Sequence, residues 1–126
     1  MGLEIKMKID RRDQGNLVIF TIDGDFDSRS AGEAKETIRT AILAGVKRVI
    51  INLEGVNYMD SAGLGTLVSA LKTARENESN VWLCGLTDQV KMVVELTRLH
   101  HVFDIFSNLD EALEELGDAP APEAAG

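Results

Sequence analysis

Residues 56–65 read Val56-Asn57-Tyr58-Met59-Asp60-Ser61-Ala62-Gly63-Leu64-Gly65, and what they join decides the fold. Upstream, Lys47 to Leu53 holds Val49, Ile50 and Ile51 in succession, the pattern of a strand covered on both faces, as in the middle of a parallel sheet. Downstream, Leu64, Leu67, Val68 and Leu71 recur at helical spacing and mark one apolar face. The stretch is therefore expected to carry a loop, from Glu54 to Asp60, that leads a buried strand into an amphipathic helix. Loops at the carboxyl ends of parallel strands are the usual functional edge of such sheets.

The alternation of strand and helix continues in both directions. Val81 to Cys84 reads as a strand, Val90, Val93, Val94 and Thr97 as one face of a helix, and Phe103 to Phe106 as a short last strand. Leu109, Ala112, Leu113 and Leu116 form a final helix, with Ser107 or Asn108 as its cap. Toward the N-terminus, Leu3, Ile5, Met7 and Ile9 alternate with charged residues as an edge strand does, and turn chemistry at Asp13, Gly15 and Asn16 leads into a second strand, Leu17 to Ile22. Gly24 to Asp27 is expected to end that strand. Ser30 and Glu33 then suggest a capping box for a helix with Ala34, Ile38, Ala41 and Ile42 on one face, closed by Gly45.

The order β, β, α, β, α, β, α, β, α implies an α/β fold. We expect a single domain over residues 1–116, with a mixed, mostly parallel sheet of four to five strands, about four helices and an edge hairpin. Residues 117–126 offer no large apolar side chain and hold both prolines, which reads as a flexible C-terminal tail.

Composition narrows the function classes. At 126 residues, 44% hydrophobic and 27% charged, the chain has the make-up of one globular domain rather than a disordered segment. Thirteen Lys and Arg against 21 Asp and Glu give a formal charge of -8, with no basic cluster to offset it, so direct nucleic-acid binding is not expected. A lone cysteine, Cys84, excludes an internal disulfide, and the absence of a continuous apolar run at the N-terminus argues against a signal peptide or membrane span. A cytoplasmic protein is the expectation.

Ser61 is the residue with the most chemistry to offer, and two readings stay open for it. It can be the N-cap of the following helix, its hydroxyl accepting from a backbone N–H one turn in. Alternatively, Gly63 and Gly65 suggest something beyond helix stability, since each costs about 1 kcal/mol relative to alanine there; small residues would let another molecule approach the backbone. A nucleophilic serine is disfavoured because Met59 stands where a G-x-S-x-G elbow needs glycine. The only histidines, His100 and His101, are adjacent near the end of the third helix and read as surface residues. Gly63-Leu64-Gly65-Thr66 lacks the Lys-Ser/Thr ending of a phosphate loop, and His100, His101 and Cys84 show no metal-ligand spacing. No enzymatic activity, cofactor or metal is expected.

Asn57 to Gly65, taken with Gly24-Asp25-Phe26-Asp27 after the second strand, resembles the STAS domain of bacterial anti-sigma factor antagonists, over roughly Leu3 to Leu116. The resemblance implies a STAS fold and a phosphoprotein that works by partner switching in transcription regulation. Unphosphorylated, such a protein binds a partner that is both serine kinase and anti-sigma factor, and so frees a sigma factor; phosphorylation switches binding off. The phosphorylated serine maps to Ser61, and a serine phosphatase would reset it. Asp27 maps to the family's acidic residue beside that site. The partner-binding set implied is Asp27, Asp60, Ser61, Ala62, Gly63, Leu64 and Gly65. Ala62 departs from the Ser or Thr that relatives often carry, which leaves one acceptor. For Asp27 the plainer reading is a turn residue or helix cap. The alternative function is a STAS phosphorelay or scaffold in another partner-switching pathway, one that does not act on a sigma factor.

Overall fold

The computed structural model describes residues 7–116. Five strands and four helices follow in the order β1 (Met7–Gln14), β2 (Leu17–Phe26), α1 (Ala31–Leu43), β3 (Arg48–Met59), α2 (Ser61–Glu76), β4 (Asn80–Cys84), α3 (Asp88–Leu96), β5 (Asp104–Phe106) and α4 (Leu109–Leu116), with a 3-10 turn at Leu99–His101 before β5. The strands lie in one sheet in chain order, β1 antiparallel to β2 and every later pair parallel. This is the expected mixed, mostly parallel architecture. The expected first strand lies partly outside the described residues at Leu3 and Ile5, and the expected tail from Gly117 lies wholly outside them.

Because the parallel strands follow one another without a reversal of direction across the sheet, crossovers of one hand put their helices on one face. The side chains agree. Val18, Phe20 and Ile22 of β2, Val49, Ile51 and Leu53 of β3, and Val81 and Leu83 of β4 form one core with α1, α2 and α3. The alternate residues Leu17, Ile19, Ile50 and Cys84 form a second, smaller core with Ala112 of α4. The period of two separates the layers, and β3, buried on both faces, has the central place its Val-Ile-Ile run implied.

Several boundaries differ from expectation, each for a physical reason. The hairpin turn is only Gly15 and Asn16, and Asp13 belongs to β1, paired with Val18. The second strand does not end at Gly24: it continues to Phe26, with register shifts between Thr21 and Asp23 and between Gly24 and Asp25 that return Phe26 to the core. Glu54 to Met59 is likewise strand, not loop, with Val56 and Met59 buried. On α2 the buried stripe is Gly63, Thr66, Leu67, Ala70 and Ala74, and Val68 is exposed. The stripe is made mostly of small residues, and from it the Thr66 hydroxyl donates to the Ala31 carbonyl of α1 at 3.1 Å; a search for large apolar residues misses such a face. On α3, Val90 and Val94 are buried, while Thr97 is exposed just past the helix end. Asn108 caps α4, its Oδ1 accepting from the Glu111 N–H at 2.8 Å.

The expected capping box at Ser30 does not form. Its hydroxyl is buried, accepts from the Asp27 N–H at 3.1 Å and donates to the Asp25 carbonyl at 2.9 Å. Ser30 thus ties the β2–α1 turn from inside, and the Ala31 N–H donates to the Asp27 carbonyl at 2.8 Å instead.

Candidate functional site

The carboxyl ends of β2 and β3 are paired neighbours: Phe26 lies opposite Met59, and the Asp60 N–H donates to the Phe26 carbonyl at 3.4 Å. The residues that follow, Asp27 and Asp60, therefore leave the sheet side by side. One turn runs into α1 and the other into α2.

Asp60, not Ser61, is the N-cap of α2. Its backbone is extended, and its Oδ1 accepts from the N–H groups of Ala62 at 2.9 Å and Gly63 at 3.2 Å. Those are the donors that a helix start otherwise leaves without partners. Ser61 is the first helical residue and is exposed, so the N-cap reading of Ser61 is corrected. Its hydroxyl is free of capping duty.

The two glycines, read alike in the sequence, have different roles. Gly63 is buried, and a Cβ there would run into the Phe26 carbonyl oxygen and lie 2.8 Å from Met59 Cγ. It lets α2 begin close against the chain's own β2, so the idea that it makes room for another molecule is corrected. Gly65 is exposed, with open space where its Cβ would be. Ala62 and Leu64 are half-buried against the first core. Ser61, Gly65, Val68 and Lys72 form the exposed stripe of α2, with the half-exposed Tyr58 just before the turn.

Asp27 is nearly buried and already has a cation. The Arg29 guanidinium reaches its Oδ2 at 2.7 Å, the Arg29 N–H donates to its Oδ1 at 3.0 Å, and Arg29 Nη2 lies 3.7 Å from Asp25. The hydrogen bond from the Arg29 side chain is the main cause holding the Asp27 carboxyl below the ordinary carboxylate range. The chain thus supplies the counter-charge of Asp27 itself. The sequence signal for it is an arginine two residues after the aspartate in the same turn.

Two further residues escaped the sequence reading. Thr87 Oγ1 donates to the Val56 carbonyl at 3.0 Å, and the Gln89 amide exchanges two hydrogen bonds with the Met59 backbone, at 2.8 and 3.0 Å. Both reach across about 30 residues of chain, and no local pattern announces them.

His100 and His101 sit on the exposed 3-10 turn that leads into β5, and His100 lines a cavity with Leu86, Lys91, Ile105 and Phe106, apart from Asp27, Asp60 and Ser61. Cys84 is buried in the second core, where desolvation pushes its thiol up to about 12. Among the described residues no group of His, Cys, Asp and Glu is arranged to hold a metal ion, and no helix is long and apolar enough to cross a membrane.

Comparison with known proteins agrees with this architecture. An anti-sigma-B factor antagonist of Listeria monocytogenes is 33% identical over 103 residues, covering 82% of this chain and 90% of that protein. The crystal structure of an anti-sigma factor antagonist from Mycobacterium paratuberculosis superposes with a TM-score of 0.81 at 19% identity, over 89% of this chain and 95% of the other. The Bacillus cell fate determinant SpoIIAA in its phosphorylated form gives a TM-score of 0.72 at 19% identity, over 86% of this chain and 99% of the other. The STAS domain model matches residues 8–112, and the chain belongs to the STAS domain family.

Proposed function

We propose that the chain is an anti-sigma factor antagonist that works by partner switching. Unphosphorylated, it docks on an anti-sigma factor that is also a serine kinase, and a sigma factor is released. Phosphorylation of Ser61 ends the docking, and a serine phosphatase restores it. The reading is supported by the Listeria relative's description and by the SpoIIAA structure in phosphorylated form. The observation that carries it is the exposed Ser61 at the first position of a helix capped by a different residue.

The chemistry of that position suits a switch. A phosphate adds about -1.5 to -2 charges, and the N-terminal end of a helix dipole tolerates them. Because Asp60 makes the capping bonds, modification of Ser61 leaves α2 closed at its start. The consequence falls on the docking surface, the exposed stripe of Ser61, Gly65 and Val68 with Tyr58, Asp60 and Asp27 at its head. A partner carboxylate about 5 Å from the new charge meets roughly 3 kcal/mol of repulsion per unit pair at an effective dielectric near 20, before salt screening. That corresponds to about a hundredfold in affinity.

We read this action as binding: His100 lines a cavity between α3 and β5 whose lining does not include Asp27, Asp60 or Ser61. We place the pathway in the cytoplasm. The test is phosphopeptide mapping after reaction with ATP and the kinase retained by the wild-type chain from a native lysate. Ser61 is expected to dominate over Ser28, Ser30, Ser69, Ser79 and Ser107; Ser30 and Ser79 are buried. Dominant modification at another serine overturns the assignment.

A further inference from the structure

We propose that Gln89 is a positioning residue for Ser61: its side-chain amide takes the place of a missing strand against Met59 and so fixes the turn that presents the hydroxyl. The inference rests on the reading of Ser61 as the phosphoacceptor. It begins from a mismatch of lengths. β4 ends at Cys84, opposite Asn52, while β3 runs on to Met59. From Leu53 onward, β3 keeps β2 on one side but has no β4 residue paired with it on the other.

Within a strand, the N–H and C=O of one residue point to the same side. The Asp60 N–H turns toward β2, to the Phe26 carbonyl, so the N–H and C=O of Met59 look the other way, into the side that β4 has left. Met59 is 1% exposed, and backbone groups buried there need partners. Gln89 supplies both. Its Oε1 accepts from the Met59 N–H at 2.8 Å, and its Nε2 donates to the Met59 carbonyl at 3.0 Å, the double pairing a neighbouring strand would make. Thr87 does the same for the Val56 carbonyl three residues earlier. Gln89 stands in the first turn of α3, which Val90 and Val94 anchor in the core, so the amide is a rigid stop.

The residue after Met59 is the cap of α2, and the one after that is Ser61. On the β2 side the start of α2 has no slack, because Gly63 lies against the Phe26 carbonyl. On the α3 side, among the described residues, it is the Gln89 amide that holds the Met59 peptide groups from which Asp60 departs. Without it the two capping bonds of Asp60 loosen, and Ser61 samples orientations that a kinase cannot use.

The test uses the full chain with Gln89→Ala and Gln89→Met, the second keeping length and packing but not the hydrogen bonds. Residue-resolved amide exchange is measured at Ala62 and Gly63, which bond to Asp60 and not to Gln89. Both variants are expected to exchange there about tenfold faster or more, with α1 amides unchanged. Phosphorylation of Ser61 is expected to lose about tenfold or more in kcat with KM held within about twofold, as for a reacting group mispositioned by a fraction of an ångström. Wild-type exchange at Ala62 and Gly63 together with wild-type kcat in Gln89→Met overturns the inference. A wild-type chain left unmodified at Ser61 overturns the proposed function instead, and the exchange rates then decide the positioning alone.

Discussion

Replacing Gly63 with alanine sets one methyl group against the chain's own backbone. The new Cβ would collide with the Phe26 carbonyl oxygen and stand 2.8 Å from Met59 Cγ and 3.1 Å from Phe26 Cγ. Carbon atoms pack at about 3.5–4.0 Å, so the Met59 contact alone is overlapped by roughly 1 Å. The carbonyl has nowhere to go, because Phe26 is paired with Met59 and its carbonyl already accepts from the Asp60 N–H. Overpacking of this kind costs about 1–3 kcal/mol, and we take about 3 because a backbone atom is involved. Alanine recovers about 1 kcal/mol of helix propensity, which leaves a net loss of about 2 kcal/mol. Gly65→Ala is the control: with nothing within 4 Å of its Cβ it is expected to gain up to about 1 kcal/mol. Urea denaturation at unchanged slope reads both, and the melting temperature should fall by roughly 8 °C for the first and rise by a few degrees for the second. Equal stability of Gly63→Ala and wild type, or losses of the same size at both positions, would refute the close approach of α2 to β2.

Three other outcomes follow from the same turns. Asp60→Ala removes the cap of α2 and is expected to cost about 1 kcal/mol in denaturant midpoint, with Asp60→Ser recovering most of it; Ser61→Ala should cost far less. Arg29 holds the Asp27 carboxyl below its ordinary range, so the folded chain keeps that charge to lower pH than the unfolded chain. The stabilisation is complete above the unfolded value near about 4 and fades as pH falls through the folded one. Wild type should therefore melt above Asp27→Asn at pH 7, with the gap closing under acid in a pH series of thermal melts. Cys84, its thiol pushed up to about 12 by burial, should resist alkylation at pH 8 until the chain unfolds, and stability should decline as pH rises past the ordinary thiol range. Fast labelling of the folded chain would contradict the second core.

Legibility in the sequence followed the size of the signal. Val49-Ile50-Ile51 announced a central strand because large β-branched residues buried on two faces have few other uses. The capping residue was misread because Asp60 and Ser61 are both good caps and adjacent; only the backbone decides that Asp60 is the extended one. Gly63 and Gly65 look alike on paper and differ by what stands opposite, which is Phe26, far away in sequence. The strands were read too short at Asp23-Gly24-Asp25 and at Glu54-Gly55, where polar residues and glycine imitate turns, although the buried Phe26, Val56 and Met59 mark the continuation. Asp27 and Asp60 follow paired strand ends, and the counter-charge of Asp27 comes from Arg29, two residues on in the same turn, which a search for carboxylates alone does not weigh. Gln89 gave no signal at all, since a side chain that substitutes for a strand has no periodicity.

The central claim, that a charge on Ser61 governs docking, is tested most directly by titration calorimetry of the captured kinase against two forms of the chain, unmodified and with phosphoserine encoded at position 61. Both forms are expected to melt alike, and the phosphorylated form to bind about a hundredfold more weakly at moderate salt, the gap narrowing as salt rises. Equal affinity of the two folded forms would contradict it.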